Sequence, residues 1–118
     1  VKVLIVCSDP QRANILAQPV NGERFHALFA SRIDHAREDL EKYKTAIAGV
    51  ICELSVHEDG DGGRYAEELS GRTNVLLVMP EGAVRPLGIT TVTSAGDYQG
   101  IAKVMVSWRN PPDGRHGL

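Results

Sequence analysis

The sequence is sparing in most features that announce a function. Cysteine occurs twice in 118 residues, at Cys7 and Cys52, too few for the disulfide framework of a small secreted domain. Both fall at or near the ends of apolar runs, where free thiols in a reducing, cytoplasmic setting are expected, although adjacent strands would not forbid a bond. Neither charge sign dominates: 13 Lys and Arg against 15 Asp and Glu leave a net charge of −2. The basic residues are scattered, so the chain lacks the basic face that binding to a phosphate backbone requires, and no direct contact with nucleic acid is expected. No apolar stretch approaches the ~20 residues of a membrane span. The amino terminus does not read as a signal peptide, since one lysine is followed directly by a short apolar run and then by polar sequence. Internal repeats and low-complexity tracts are absent as well.

What is present is regular. At 12.8 kDa, with 42% apolar and 24% charged residues, the chain is sized and composed as one globular domain with a single core. Five apolar runs predict strands over Lys2–Cys7, Arg24–Ala30, Ala48–Leu54, Asn74–Met79 and Ile89–Ser94. Three of them contain continuous runs (VLIV, GVIC, VLLV), the pattern of strands covered on both faces. Helical patterns lie between them. Pro10–Ala17 follows Asp9 as N-cap, with Pro10 at the first helical position. Asp34–Thr45 puts Ile33, Ala36, Leu40 and Tyr43 on one face. Gly63–Leu69 is short, and Asp97–Trp108 carries Ile101, Met105 and Trp108 on one stripe, weakened by Gly100. Alternation of this kind predicts a parallel sheet with right-handed crossovers and helices on both faces. One crossover breaks the rule. PEGAVRPLG, between Met79 and Ile89, holds two prolines and two glycines, so a full helix cannot form there. The domain is expected over residues 1–108. RNPPDGRHGL, residues 109–118, reads as a flexible tail or the start of a linker.

In an open parallel sheet, function collects beyond the carboxyl ends of the strands. The first run delivers Cys7, Ser8 and Asp9 to that edge, and the third delivers Glu53 and Ser55, followed by the acidic loop HEDGDGG. The fourth delivers Met79, Pro80 and Glu81, and the fifth delivers Ser94, Ala95 and Gly96. With these residues in place, the chain resembles the receiver domains of bacterial response regulators, the CheY-like family, over about residues 2 to 108. VLIVCSDP resembles the family's first strand with its acidic turn and proline. VICEL resembles the third strand, whose last residue but one is the phosphoacceptor aspartate. Asp61-Gly62 resembles the Asp-Gly that opens the third helix, with one extra residue before it. VLLVMPE and TVTSAGD resemble the fourth and fifth strands. The resemblance implies a flavodoxin-like fold: five parallel strands in the order 2-1-3-4-5, with four helices instead of five.

The same resemblance implies that the reactive set is gone. The family's paired acidic residues, which hold Mg²⁺, fall on Cys7 and Ser8, and Asp9 matches a neighbouring position. The phosphoacceptor falls on Glu53, the Thr/Ser that senses the phosphoryl group on Met79, and the lysine that pairs with it on Ser94. The cis-proline position falls on Ala95. Mg²⁺ needs carboxylate oxygens in near-octahedral geometry at about 2.0–2.1 Å, which a thiol and a hydroxyl replace poorly. Phosphoryl transfer depends on in-line positioning and on cations that absorb developing charge. The extra methylene of Glu53 moves its oxygens by roughly an ångström, a displacement that can cost ~10²-fold in rate. Cys7, Ser8, Asp9, Glu53, Met79 and Ser94 are therefore expected to line a degenerate phosphoacceptor pocket, with no catalysis and no cofactor. Glu53 is either a fixed imitation of a charged acceptor or a solvated strand-end residue.

Other signals point elsewhere. Asp59-Gly60-Asp61 followed by Gly63-Arg64 resembles the DxD motif of Toprim domains, which bind Mg²⁺, but the glutamate that chemistry needs at the end of the first strand is Cys7 here. His57 with Glu58, Asp59 and Asp61 reads as a solvated loop more readily than as a metal site, because ligands usually converge from separate elements. Cys7 lies beside a helix N-terminus that would favour a reactive thiolate, against the alternative of an inert strand-end thiol. Loss of the fourth helix exposes the sheet near its last two strands, where Val84, Leu87, Ile89 and Tyr98 are the expected interaction surface, unless PEGAVRPLG folds down to close the gap. The expected function is a phosphorylation-independent signalling domain, the regulatory part of a bacterial response or transcription regulator. It would act on a protein partner, an attached output domain or a second copy of itself. The alternatives are a receiver switched by a small ligand in the vacated pocket and a Toprim-like Mg²⁺-binding domain using Asp59 and Asp61.

Overall fold

The computed structural model describes residues 1–56, 60–84, 86 and 88–109. Its main sheet contains β1 (Lys2–Val6), β2 (His26–Ala30), β3 (Ile47–Glu53), β6 (Asn74–Val78) and β7 (Thr90–Val92). All pair in parallel in the order β2-β1-β3-β6-β7, which is 2-1-3-4-5 when only these strands are counted. Between β3 and α3, the two-residue strands β4 (Ser55–Val56) and β5 (Gly60–Asp61) form a small antiparallel sheet of their own, which the sequence did not announce. The helices are α1 (Pro10–Gly22), α2 (Ile33–Lys42), α3 (Gly62–Leu69) and α4 (Tyr98–Arg109).

Alternation along the strands divides the core in two. Val3 and Ile5 of β1, Ile51 of β3 and Leu76 and Val78 of β6 face one way and pack with Leu16 and Val20 of α1 and Ile101 and Met105 of α4. Leu4 and Val6, Val50 and Cys52, and Leu77 face the other way, toward Ile33 and Ala36 of α2 and Tyr65, Ala66 and Leu69 of α3. This explains why the central strands read as continuous apolar runs: every residue meets a helix. It also separates the cysteines. Cys7 belongs to the first cluster and Cys52 to the second, and both are free.

Element ends depart from expectation for local reasons. Asp9 caps α1 as anticipated: its backbone is extended and its side chain accepts from the Gln11 N–H at 2.9 Å. The helix then runs through Pro19 to Gly22, past the predicted end at Ala17. Pro19 forfeits one backbone hydrogen bond, but Leu16 and Val20 are fully buried, and burial of such side chains contributes about 1.5–3 kcal/mol each. Arg24 cannot open β2, because it holds a φ of 68° in the turn that ends α1. The second helix stops at Tyr43, whose N–H closes on the Asp39 carbonyl. β7 ends at Val92 because Ser94 already forms a turn, its hydroxyl accepting from the Gly96 N–H at 3.0 Å. Asp97 accepts from the Gly100 N–H at 3.0 Å, and a Cβ on Gly100 would collide with that carboxylate, so the glycine that weakens α4 also admits its cap.

Among its described residues, the crossover from β6 to β7 has no helix, in keeping with its prolines and glycines. Gly82 and Gly88 take left-handed φ values of 91° and 80°, which glycine alone adopts without strain. The segment folds down in part: Ala83 and Ile89 pack against the second core cluster, and Leu77 and Met79 beneath are buried. Among the described residues, no helix is long and apolar enough to cross a membrane. Residues 110–118, and with them nearly all of the expected tail, lie outside the described set.

Candidate functional site

Glu53 is the last residue of β3 and the one charged side chain among the described residues that is buried, at 9% exposure. It is not the solvated strand-end residue of one expectation. A carboxylate removed from water needs a partner, and Arg12 supplies it from the first turn of α1. Arg12 Nε donates to Glu53 Oε1 at 3.1 Å and Nη2 donates to Oε2 at 3.0 Å. Such a two-pronged fork matches the plane of the guanidinium to that of the carboxylate. The partners differ in burial, with the Arg12 side chain 47% exposed and that of Glu53 12%. Hydrogen bonding to Glu53 pushes the Arg12 guanidinium still further above its ordinary range.

Sequence reading missed Arg12, although a signal was available. A helix N-terminus favours negative charge, yet the first turn of α1 contains no acidic residue and does contain an arginine. A cation placed against the helix dipole asks for a carboxylate from elsewhere in the chain, and Glu53 provides it.

Beside the fork lies a hollow of about 510 Å³ beyond the carboxyl ends of β3, β6 and β7, lined by Arg12, Glu53, Met79, Glu81 and Ser94 among others. Three of the six expected pocket residues, Glu53, Met79 and Ser94, thus meet. The other three do not join them. Cys7 and Ser8 line a separate hollow of about 230 Å³ with Pro10, Ala13 and Phe29, and the Asp9 carboxylate caps α1. Cys7 is 6% exposed, and its thiol donates to the Asp9 carbonyl at 3.4 Å. Burial pushes the thiol up from its ordinary range, which suits the inert thiol and not the thiolate that a helix N-terminus would favour.

These donors do not fit a divalent cation. Among the described residues no three His, Cys, Asp or Glu side chains converge, and the charge of Glu53 is already shared with Arg12. Asp61 lies on β5, its backbone paired with Ser55, while His57, Glu58 and Asp59 lie outside the described residues. The expected interaction surface is dispersed. Val84 is 91% exposed and Tyr98 40%, but Ile89 turns inward, and α4, which Tyr98 opens, covers the opposite face. Leu87 lies outside the described residues.

Gly62 fixes the local geometry. Its N–H donates to the Leu54 carbonyl at 2.8 Å, and a Cβ there would collide with the carbonyl of Glu53. This is a physical reason for glycine after Asp61, and it seats the start of α3 directly on the end of β3.

No protein-family model and no curated protein matches the chain. Solved structures do. A response regulator receiver domain protein from Clostridium thermocellum superposes with a TM-score of 0.77 at 13% identity, covering 93% of this chain and 94% of its own. The signal receiver domain of a DNA-binding response regulator (merR) from Colwellia psychrerythraea gives 0.76 at 16%, covering 92% and 98%. A CheY-like receiver domain from Methylobacillus flagellatus gives 0.74 at 14%, covering 91% and 97%. The fold is that of CheY-like receiver domains, in agreement with the strand order and helix count read from the sequence.

Proposed function

We propose that this chain is a signalling domain that uses the receiver fold without phosphorylation, acting through contact with a protein partner or an attached output domain. The observation that carries this reading is the Arg12–Glu53 fork. Attack on a phosphoryl group requires an oxygen free to approach in line and cations to absorb the charge that develops. Here the carboxylate in the acceptor position is longer than aspartate, largely buried, and fixed in orientation by its two bonds to Arg12. The fork also neutralises Glu53 locally, which favours a silent site over a standing imitation of a phosphorylated one. A role as the regulatory part of a bacterial response or transcription regulator is supported by the fold shared with receiver domains, one of them from a DNA-binding regulator; with its basic residues dispersed, any DNA contact would fall to an attached output domain. No reaction is assigned to the chain.

The test is incubation with acetyl phosphate and Mg²⁺, read by intact-protein mass. An unchanged mass is the expected outcome. Stoichiometric gain of one phosphoryl group, lost on treatment with hydroxylamine and absent from Glu53→Gln, would overturn the reading.

A further inference from the structure

The hollow beside the fork has the dimensions and lining of a ligand site, and its charge selects among ligands. At about 510 Å³ it falls within the range of roughly 300–1,000 Å³ typical of small-molecule pockets. Its apolar wall is Leu54 and Pro80, since Val78 and Met79 are each only 2% exposed, and Glu53 and Glu81 line it as well. Arg12 cancels the charge of Glu53, so Glu81 leaves the lining one charge negative. Arg12 gives each Glu53 oxygen one hydrogen bond, whereas a carboxylate offers about four acceptor sites. Acceptor capacity therefore remains on a buried group that faces the hollow. An anion entering would meet two carboxylates and a guanidinium already engaged. A neutral apolar molecule would gain the wall alone.

We propose that this hollow binds a small organic amine, its ammonium directed at Glu53 and Glu81 and its apolar body laid against Leu54 and Pro80. Alkylamines are protonated at neutral pH, and a charge-assisted hydrogen bond to a largely buried carboxylate is stronger than a neutral one. The site is reversible and concerns occupancy, not group transfer. It stands whether or not Glu53 accepts a phosphoryl group, so this test and the acetyl phosphate test fail separately.

The probe is tryptamine, titrated into the whole isotope-labelled chain and followed by two-dimensional amide NMR, with indole-3-propionate and tryptophol as anionic and neutral counterparts. The expected result is saturable shifts clustered at Glu53, Leu54, Met79 and Ser94 for tryptamine, with affinity at least tenfold better than for either counterpart. Glu81→Gln, on the exposed rim, weakens tryptamine about threefold, the scale of a solvated charge pair. Arg12→Gln removes the competing cation and strengthens binding. The Glu81 variant, changed outside the core, keeps the test valid if the Arg12 variant does not fold. Absence of saturation at millimolar tryptamine, equal response to the carboxylate, shifts centred elsewhere, or affinity indifferent to Glu81→Gln would each overturn the proposal.

Discussion

Among the described residues, two arginine–carboxylate forks join distant parts of this chain, and they sit in different surroundings. Arg12 reaches Glu53 from α1 to the end of β3. Arg37 of α2 reaches Glu68 of α3, with Nε to Oε2 at 3.1 Å and Nη2 to Oε1 at 2.7 Å. By distance alone the second is the tighter pair. By burial it is the weaker, because Glu68 remains 38% exposed where Glu53 is 12% exposed. A solvated carboxylate that loses its arginine is rescued by water, and a buried one is not. Solvent access, not hydrogen-bond length, is therefore expected to rank the cost of removing each arginine.

The largest expected effect comes from separating the partners at the buried fork. Arg12→Ala leaves the Glu53 charge uncompensated and costs about 2–3 kcal/mol in urea denaturation, less than a fully buried pair because Arg12 itself is half exposed. Replacing both residues by methionine recovers most of that loss, since the cost arises from the orphaned charge. An Arg12→Ala cost no larger than that of Arg37→Ala would break the comparison.

The next effect sharpens it from the alkaline side. The Arg37 guanidinium lies 5.3 Å from the centre of the Tyr65 ring, and burial pushes the Tyr65 hydroxyl up to about 12. Its folded value exceeds the unfolded value near 10, so the stability it contributes is complete below pH ~10 and is lost as pH rises toward about 12. Ultraviolet titration should show Tyr65 ionising only as pH approaches about 12, together with unfolding. Ionisation of Tyr65 near pH ~10 in the folded protein would contradict the burial of that ring.

Arg37→Ala itself is expected to cost about 1 kcal/mol, from an exposed ion pair and a cation over an aromatic ring. High salt should shrink that cost, whereas the Arg12→Ala cost should persist. The smallest effect is acidic. Hydrogen bonding from Arg37 holds the Glu68 carboxyl below its ordinary range, so its stabilisation is present above the unfolded carboxylate value and fades as pH falls through the lowered folded one. Comparison of acid unfolding between the parent and Glu68→Gln checks this, and identical profiles would remove the fork from the account.

The contrast between local and distant interactions also decides what could be read in the sequence. VLIV, GVIC and VLLV give their strands away because each buries two faces. Asp9-Pro10 gives the start of α1, and PEGAVRPLG gives the missing helix, because caps and breakers act through the nearest few residues. Pro19 misleads, since burial of Leu16 and Val20 outweighs a lost backbone bond. The lining of the hollow is only half legible. Strand ends bring Glu53, Met79 and Ser94 together, but Cys7 and Ser8 line a separate hollow with Pro10, Ala13 and Phe29, and a strand count does not say which hollow a side chain enters. The Arg12–Glu53 fork is the least legible feature, because no periodicity links residues so far apart in the chain, and only the misplaced charge in the first turn of α1 hints at it.

The helix-free crossover has a consequence for how the chain finds its fold. It makes β6 and β7 the parallel pair with the shortest intervening chain: Leu76 pairs with Thr90, whereas Lys2 must find His26 on one side and Ile47 on the other. The entropy of closing a loop rises with its length, though slowly, and parallel pairing is otherwise slow because its contacts are remote in sequence. The edge that lacks a helix is thus the edge whose strands meet most readily, and an encounter between β6 and β7 can precede the longer closures that complete the sheet.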